Sequence, residues 1–222
     1  MTEITKIDMK RIAIYGGGGL GREVACLINR INEANPTWEL IGFFDDGKER
    51  GEAISHFGSV LGGLDDLNRW DETLCVVIAI GNPGVVHKIS QQILNPRIEF
   101  PNLIHPNFTI GDSKTFSIGQ GNIIQGGCSA TCNVSIGNFN LLNSSVCLGH
   151  DDVVGSYNTF MPAVRISGEV HIGDCNLFGV GSIVLQQLKI GNNTRLGAGA
   201  VLMTKPKEGE LYMGNPAKIF RY

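Results

Sequence analysis

A strict six-residue period governs the second half of the sequence. Counting in steps of six from Ile118 to Leu202 gives fifteen positions, and every one of them is apolar. A longer period of eighteen residues lies on top of this, because Asn122 recurs as Asn140, Asn158 and Asn176. Six residues for each strand and corner, and eighteen for each turn, predict a triangular parallel β-helix whose apolar positions point inward.

The first hundred residues follow a different pattern, in which apolar strands alternate with amphipathic helices. Strands are predicted at 11–15, 40–44 and 74–80, with helices beginning near residues 22 and 86. This alternation predicts a small parallel sheet covered by helices. Three prolines between residues 95 and 106 interrupt both patterns and mark a linker. We therefore expect an α/β, Rossmann-like domain at 1–100 and an all-β parallel β-helix at 101–222.

A glycine run follows the first predicted strand. Gly16, Gly18 and Gly21 fit the pattern GxGxxG, and an acidic pair follows the second strand. Glycines let the backbone approach a phosphate closely, and a helix N-terminus attracts an anion. A dinucleotide domain usually needs two such halves, so the short domain favours a single nucleotide or sugar nucleotide over NAD. A glycine-rich turn without any ligand stays an alternative. The predicted substrate-binding residues are Gly18, Gly19, Leu20, Asp45, Asp46 and Gly81.

Composition and charge argue against several classes of partner. The net charge of −3 and the absence of a Lys/Arg-rich run give no reason to expect nucleic acid. The six cysteines contain no CxxC pair, which favours reduced thiols in a cytoplasmic protein. Residues 1–10 lack the apolar region of a signal peptide, and the longest apolar run, at 74–80, is too short to span a membrane.

His150 is the candidate catalytic residue. It stands two positions after the inward Leu148, at a predicted corner, and a step of eighteen puts Gly168 beside it on the next turn. Histidine suits general-base catalysis because its ordinary pKa lies near 6.5. A neighbouring carboxylate, either Asp151 or Asp152, could fix its tautomer. Taken alone, a corner histidine could equally be a plain surface residue.

Taken together, these features resemble the hexapeptide-repeat acyltransferases. The similarity is greatest to the sugar acetyltransferases of bacillosamine, perosamine and sialic acid pathways, which carry a Rossmann-like sugar-nucleotide domain in front. The chain departs from that pattern at Leu20, where the family often has histidine in the glycine loop. The segments that carry the resemblance are Tyr15-Gly16 with the glycine loop, Asp45-Asp46, Ala79-Ile80-Gly81-Asn82, Leu103-Ile104-His105-Pro106, Gly149-His150-Asp151 and Gly214-Asn215-Pro216-Ala217-Lys218.

The resemblance implies a fold, an activity and an assembly. It implies a left-handed β-helix in a homotrimer, and acetyl-coenzyme A as co-substrate without a metal. The acceptor would be an amino or hydroxyl group of a sugar, in particular a nucleotide-linked amino sugar. His150 would act as general base in a direct attack, with Asp151 beside it. The coenzyme would lie between two subunits, against Thr159, Gly168, Val180 and Ala198.

Three other functions are alternatives to acetyl transfer. A metal enzyme similar to the γ-class carbonic anhydrases needs three histidine ligands, and only His171 follows His150. A scaffold protein that senses a sugar nucleotide stays open, and acetyl-coenzyme A turnover would separate it from an enzyme. An NAD-dependent enzyme built on the glycine loop lacks a catalytic domain of the usual kind.

Overall fold

The computed structural model describes residues 9–221, and they form two compact units. The first unit contains the described residues up to Ala79, together with Gln92–Pro101. The second contains Ile80–Gln91 and the chain from Asn102 onward. Most of the segment on which the expectation of no signal peptide rests, residues 1–8, lies outside the described residues.

A five-stranded parallel sheet forms the centre of the first unit, in the strand order β3-β2-β1-β4-β5. No helix in the described range is long and apolar enough to cross a membrane. The three predicted strands and both predicted helices are present, while two short strands, at 60–62 and 98–99, and a short helix, at 64–68, were not predicted. The bounds are β1 Lys10–Tyr15, α1 Gly19–Ala34, β2 Trp38–Phe44, β3 Val60–Gly62, α2 Leu64–Asn68, β4 Leu74–Ile78, α3 Pro83–Gln92 and β5 Ile98–Glu99.

In the second unit, strands of two or three residues stack into three sheets, in which every strand pair except the last, Leu211–Met213 with Lys218–Ile219, is parallel. From Ile124 to Leu202, every apolar residue of the six-residue period is buried, and Ile118 is half-buried. The predicted parallel β-helix is therefore confirmed. The first sheet contains β7 Thr109–Ile110, β10 Ser129–Ala130, β13 Cys147–Leu148, β16 Arg165–Ile166, β19 Ile183–Val184 and β22 Val201–Leu202. The second contains β8 Ser117–Ile118, β11 Ser135–Ile136, β14 Val153–Val154, β17 His171–Ile172 and β20 Lys189–Ile190. The third contains β6 Leu103–Ile104, β9 Ile123–Ile124, β12 Leu141–Leu142, β15 Thr159–Phe160, β18 Leu177–Phe178, β21 Arg195–Leu196, β23 Leu211–Met213 and β24 Lys218–Ile219.

The corners of the β-helix repeat one backbone conformation. A residue with positive φ occurs at every sixth position from 121 to 199, and only four of these fourteen residues are glycine. Left-handed backbone is unfavourable for most side chains, although Asn and Asp tolerate it better. Asp151, with a φ of 60°, is one of these residues. The turn before β14 therefore fixes the backbone of the residue that follows His150.

Buried asparagines line one internal edge of the β-helix. The side-chain oxygen of Asn140 accepts the backbone N–H of Asn158 at 2.8 Å, and that of Asn158 accepts the N–H of Asn176 at 2.9 Å. The series continues to the backbone N–H of Thr194. Because buried polar groups must be hydrogen-bonded, this ladder satisfies the backbone where the chain enters each strand. It explains the eighteen-residue period seen in the sequence.

The first turn of the β-helix is two residues longer than the eighteen-residue turns that follow it. Ile104 pairs with Ile124, and Ile110 pairs with Ala130, so the offset is twenty residues rather than eighteen. The extra length falls in the turn that Asp112 closes by accepting the N–H of Lys114. Ile98 lies six residues before Ile104 and so continues the six-residue spacing toward the N-terminus. It nevertheless belongs to the sheet of the first unit and not to the β-helix.

Residues 80–91, which contain most of α3, group with the β-helix. The ring of His87 lies 4.6 Å from the ring of Tyr157, measured between centroids. On the third sheet of the β-helix, the outward residues Ile123, Leu141 and Thr159 are buried. We infer that α3 covers this face. The alternation of strands and helices predicts that this segment belongs to the domain at 1–100. The repeat could not have corrected this, because a helix that packs on the β-helix from outside gives no periodic signal in it.

Candidate active site

His150 lies on an exposed edge of the β-helix, directly after β13. Its Nδ1 is 2.7 Å from Oδ2 of Asp151, so the protonated Nδ1 donates to the carboxylate. The other carboxylate oxygen, Oδ1, accepts an N–H from the side chain of Asn133 at 2.8 Å. The His150 side chain is 55% exposed, which leaves Nε2 accessible. The arrangement is that of a histidine base oriented by a carboxylate.

Gly168 makes room for the imidazole on the next turn. A Cβ atom at this position would lie 2.6 Å from Cε1 and 2.7 Å from Cδ2 of His150, and closer still to Nε2. The backbone joins the two turns here, because the Glu169 N–H donates to the His150 carbonyl at 2.7 Å. The eighteen-residue stacking of the backbone places Cys132, His150, Gly168 and Gln186 along one edge of the β-helix.

The acidic neighbour changes the protonation of His150. The hydrogen bond that His150 donates to Asp151 raises the pKa of His150 above its ordinary value, and the nearby charges of Asp151, Glu169 and Asp152 act in the same direction. The hydrogen bonds from His150 and Asn133 lower the pKa of Asp151. Asp151 therefore stays ionised at neutral pH and stabilises the imidazolium that proton transfer would create.

Asp152 points into the β-helix rather than toward the imidazole. Its side chain is fully buried, and burial raises its pKa to about 7. Its Oδ2 accepts the N–H of Gly149 at 2.8 Å, and its Oδ1 accepts the N–H of Val170 at 2.9 Å. Of the two carboxylates that the sequence offered for fixing the His150 tautomer, Asp151 is the one in contact.

The raised pKa of Asp152 makes stability depend on pH. The folded protein binds this proton up to about pH 7, whereas the unfolded chain releases it near 3.8. The contribution of Asp152 to the free energy of unfolding therefore falls as pH rises from about 4 to about 7. We expect the wild type to lose about 2 kcal/mol relative to Asp152→Val between pH 5.5 and pH 8. Urea unfolding at equal protein concentration measures this, and a difference independent of pH would contradict it.

The residues expected to contact the coenzyme divide into two groups. Val180 and Ala198 are exposed, and the Gly199 N–H donates to the Val180 carbonyl, so they are neighbours on one open edge. Thr159, in contrast, is only 2% exposed within β15 and stands on the face that we infer α3 covers. The burial of Thr159 argues against it as a coenzyme contact.

The glycine loop of the first unit has two kinds of glycine. A Cβ at Gly21 would overlap the carbonyl oxygen of Gly16, so the close approach of α1 to β1 requires glycine there. A Cβ at Gly18 or Gly19 would meet nothing within 4 Å. Gly18 also has an ordinary φ of −79°. The folded chain itself therefore gives no steric reason for glycine at these two positions.

The acidic pair shapes the glycine loop from within the same unit. Asp45 accepts the N–H of Gly17 at 2.7 Å. Asp46 accepts the N–H of Leu64 at 2.7 Å and the hydroxyl of Tyr15. Burial, the Asp46 hydrogen bond and both nearby carboxylates raise the pKa of the Tyr15 hydroxyl. Both carboxylates thus have structural partners, which the sequence pattern did not reveal.

The two remaining predicted substrate contacts differ in setting. Leu20 is half-buried in the first turn of α1. Gly81 is exposed just before α3, with nothing within 4 Å of a Cβ built on it. Gly81 belongs to the segment that groups with the β-helix, whereas Leu20 belongs to the first unit.

The sequence analysis missed Asn133 and the inward direction of Asp152, although the eighteen-residue period indicates both. Asn133 stands eighteen residues before Asp151 and hydrogen-bonds to it. Asp152 stands eighteen residues from Val134 and Val170, which are both fully buried. Applying the same step to these positions would have predicted an inward Asp152. Among the described residues, no group of three or more His, Cys, Asp or Glu side chains could hold a metal.

The N-terminal part of the chain matches a known domain family. Residues 11–93 match the family described as the PglD N-terminal domain. A curated relative, UDP-N-acetylbacillosamine N-acetyltransferase of Bacillus subtilis (strain 168), is 29% identical over 119 residues. That alignment covers 52% of this chain and 51% of the relative, so it spans about half the length of that protein.

Solved structures match nearly the whole chain. The acetyltransferase domain of PglB from Neisseria gonorrhoeae FA1090, in complex with acetyl coenzyme A, is 27% identical with a TM-score of 0.85, over 96% of this chain and 100% of that one. WeeI from Acinetobacter baumannii AYE is 29% identical with a TM-score of 0.84, over 96% and 100%. PerB from Caulobacter crescentus, solved in complex with CoA and GDP-perosamine, is 24% identical with a TM-score of 0.81, over 97% and 99%.

These comparisons agree with one another and with the geometry of the two units. The last match, at 24% identity, supports the fold alone. The expected fold, an α/β N-terminal domain followed by a left-handed parallel β-helix, is confirmed. The family match at the N-terminus, the curated relative and the fold of nearly the whole chain confirm the resemblance to the hexapeptide-repeat sugar acetyltransferases.

Proposed function

We propose that the protein transfers an acetyl group from acetyl-coenzyme A to the amino group of a nucleotide-linked sugar. The observation that carries this proposal is the pair of His150 and Asp151 on an exposed edge, with Gly168 leaving space beside the imidazole. The relatives named as acetyltransferases, one of them solved with acetyl coenzyme A, support the donor. The sugar nucleotide in the name of the curated relative supports the acceptor class.

His150 acts as the general base in a direct attack. As the acceptor nitrogen bonds to the thioester carbonyl carbon, Nε2 of His150 takes the proton that the nitrogen loses. Asp151 stabilises the resulting imidazolium through Nδ1. When the tetrahedral intermediate collapses, the C–S bond breaks and the thiolate leaves, taking a proton from the imidazolium. No acyl-enzyme forms.

The backbone of Gly168 stabilises the oxyanion of the tetrahedral intermediate. Its N–H donates to no acceptor within the part of the chain that the structure describes. A backbone N–H held next to the base can donate to the developing negative charge without reorganising, and such donors are worth about 10²–10³ in rate.

The coenzyme lies along the edge that carries Val180 and Ala198, and the protein is a homotrimer. Both residues are small or apolar and exposed, which suits contact with the pantetheine arm. A ligand site buries about 70–90% of its ligand, and a single open edge supplies only one wall. A second β-helix supplies the other wall, and closed cyclic symmetry is usual for soluble oligomers. A monomer in light scattering, fully active at the same concentration, would contradict this assembly.

The acceptor's phosphates bind at the glycine loop of the first unit. Gly18 and Gly19 expose backbone at the N-terminus of α1, where N–H groups and the helix dipole attract an anion. Leu20, Asp45, Asp46 and Gly81 are the remaining proposed acceptor contacts. The panel of acceptors described next identifies the nucleotide, the sugar and the acetylated position.

A panel of acceptors tests the whole proposal. Purified protein is incubated with acetyl-coenzyme A and UDP-, GDP- or dTDP-linked amino sugars, and the release of free thiol is followed, with the matching hydroxyl sugars as controls. Turnover with at least one amino sugar supports N-acetylation. Turnover with hydroxyl sugars alone would move the reaction to O-acetylation. Binding of a sugar nucleotide without any thiol release would favour the scaffold alternative.

The glycine loop offers a test of which unit binds which substrate. We expect Gly18→Val to raise the acceptor KM at least about tenfold, because the side chain would occupy the space that a phosphate needs next to the backbone. Its Cβ meets nothing in the protein itself, so the variant should fold normally. The KM for acetyl-coenzyme A should change less than about twofold. If the coenzyme's KM rises instead, the ligands have been assigned to the wrong units.

A further inference from the structure

Asp152 occupies a position that the neighbouring turns fill with valine. Val134, one turn before, and Val170, one turn after, are both fully buried, as is Asp152. Burying a carboxylate costs far more than burying a valine, unless hydrogen bonds compensate for the lost water. Packing alone therefore does not explain why a buried carboxylate stands beside the proposed catalytic pair, His150 and Asp151.

The two oxygens of Asp152 hold backbone on both sides of His150. Oδ2 accepts the N–H of Gly149, the residue before His150, at 2.8 Å. Oδ1 accepts the N–H of Val170 at 2.9 Å, and the preceding residue, Glu169, donates its own N–H to the His150 carbonyl at 2.7 Å. The histidine backbone is therefore fixed from the turn in which it lies and from the next turn.

The hydrogen bond of Gly149 departs from the pattern of the β-helix. At the equivalent position one turn earlier, the Thr131 N–H donates to the backbone carbonyl of Leu148 at 3.3 Å. One turn later, the Ser167 N–H donates to the carbonyl of Val184 at 3.0 Å. Gly149 instead donates to a side chain. The corner that carries His150 thus has its own local arrangement, which depends on Asp152.

We propose that Asp152 is a positioning residue that holds the His150 corner in the geometry needed for proton transfer. This inference rests on the proposed function. Asp152 contacts neither substrate, and it acts through the backbone of Gly149 and Val170. A misplacement of about 1 Å at a catalytic group can cost about 10²-fold in rate. Valine would pack better in the core, but it would leave the N–H groups of Gly149 and Val170 without an acceptor. This explains why the position carries a carboxylate.

Two substitutions separate positioning from simple structural support. Asp152→Asn keeps the size of the side chain, but its amide nitrogen cannot accept the second N–H. Asp152→Val reproduces the residue of the neighbouring turns. We expect both variants to lower kcat by about 10- to 100-fold while the KM for acetyl-coenzyme A changes less than about twofold. The Tm of Asp152→Val at pH 8 should equal or exceed that of the wild type.

Asp174→Asn is the matched control. Asp174 also accepts a backbone N–H from the neighbouring turn, that of Ser156 at 2.6 Å, but at a different corner. Its kcat should stay within about threefold of the wild type. The proposal is overturned if both Asp152 variants also stay within that range, or if kcat falls only in proportion to the loss of folded protein.

A readout that does not require turnover keeps this inference separate from the proposed function. The ring carbons of histidine are labelled with ¹³C, and the His150 signal is assigned by its loss in His150→Ala. Asp152→Asn should shift this signal even at pH 5, where the wild-type Asp152 is protonated and no charge is lost by the substitution, whereas Asp174→Asn should leave the signal unchanged. If the wild type acetylates none of the acceptors, the proposed function is wrong. The measurement still shows whether Asp152 positions His150. An unchanged His150 signal in Asp152→Asn would overturn the proposed positioning.

Discussion

His150→Ala should lower kcat at least about 100-fold while leaving the KM for acetyl-coenzyme A nearly unchanged. A general base is typically worth about 10²–10⁴ in rate, and no other imidazole in the described part of the chain shares this corner of the β-helix. The side chain is exposed, so its removal leaves no cavity and the fold should persist. Steady-state thiol release measures the effect, and His56→Ala, in the other unit, is the control. Turnover near the wild-type rate would remove His150 from the mechanism.

Asp151→Asn tests the pH dependence that is expected of a general base. Only neutral imidazole can accept a proton, so the acid limb of the kcat/KM profile reports the pKa of His150 in the free enzyme. The Asp151 hydrogen bond raises this pKa. Removing the carboxylate should therefore move the acid limb to lower pH and reduce kcat, because the imidazolium loses its partner. An acid limb that stays in place would assign that titration to another group.

The repeat makes the β-helix and the location of its proposed catalytic edge predictable from sequence. A period of six identifies the residues that point inward, and a period of eighteen identifies those that stack, so the count of residues alone pairs His150 with Gly168. The backbone bond between Glu169 and His150 follows this stacking. In such a fold, sequence separation translates directly into position, because no insertion disturbs the count between residues 118 and 202.

Features that come from outside the repeat were not predictable in this way. Thr159 was expected to contact the coenzyme, yet its side chain is buried, and a helix that packs from elsewhere in the chain leaves no periodic signal. The roles of Asp45 and Asp46 in holding the glycine loop depend on distances across the first unit. The inward direction of Asp152 was predictable, but a pair of adjacent carboxylates beside a histidine suggested two equivalent partners.

Gly168→Ala should reduce kcat about 100-fold or more with little loss of stability. The added methyl group would overlap the imidazole of His150, at 2.6 Å from Cε1 and 2.7 Å from Cδ2. Since the ring is exposed and its side chain can rotate, the clash should be relieved by moving the imidazole rather than the backbone. The ring would then leave Asp151, so that both its position and its raised pKa are lost. Small displacements of a catalytic group have effects of this size.

Two other glycines of the β-helix make this prediction specific. Gly126 also stands two residues after an inward position and beside a histidine, but a Cβ there would lie 3.4 Å from the His105 ring, an ordinary contact. Gly126→Ala should therefore keep kcat within about twofold of the wild type. At Gly149, a Cβ would lie 2.6 Å from the backbone nitrogen of Gly168, which cannot rotate away, so Gly149→Ala should lower Tm first. Thermal unfolding and thiol release on the three variants would distinguish the two effects. Full activity in Gly168→Ala would mean that catalysis does not require the imidazole where the structure has it.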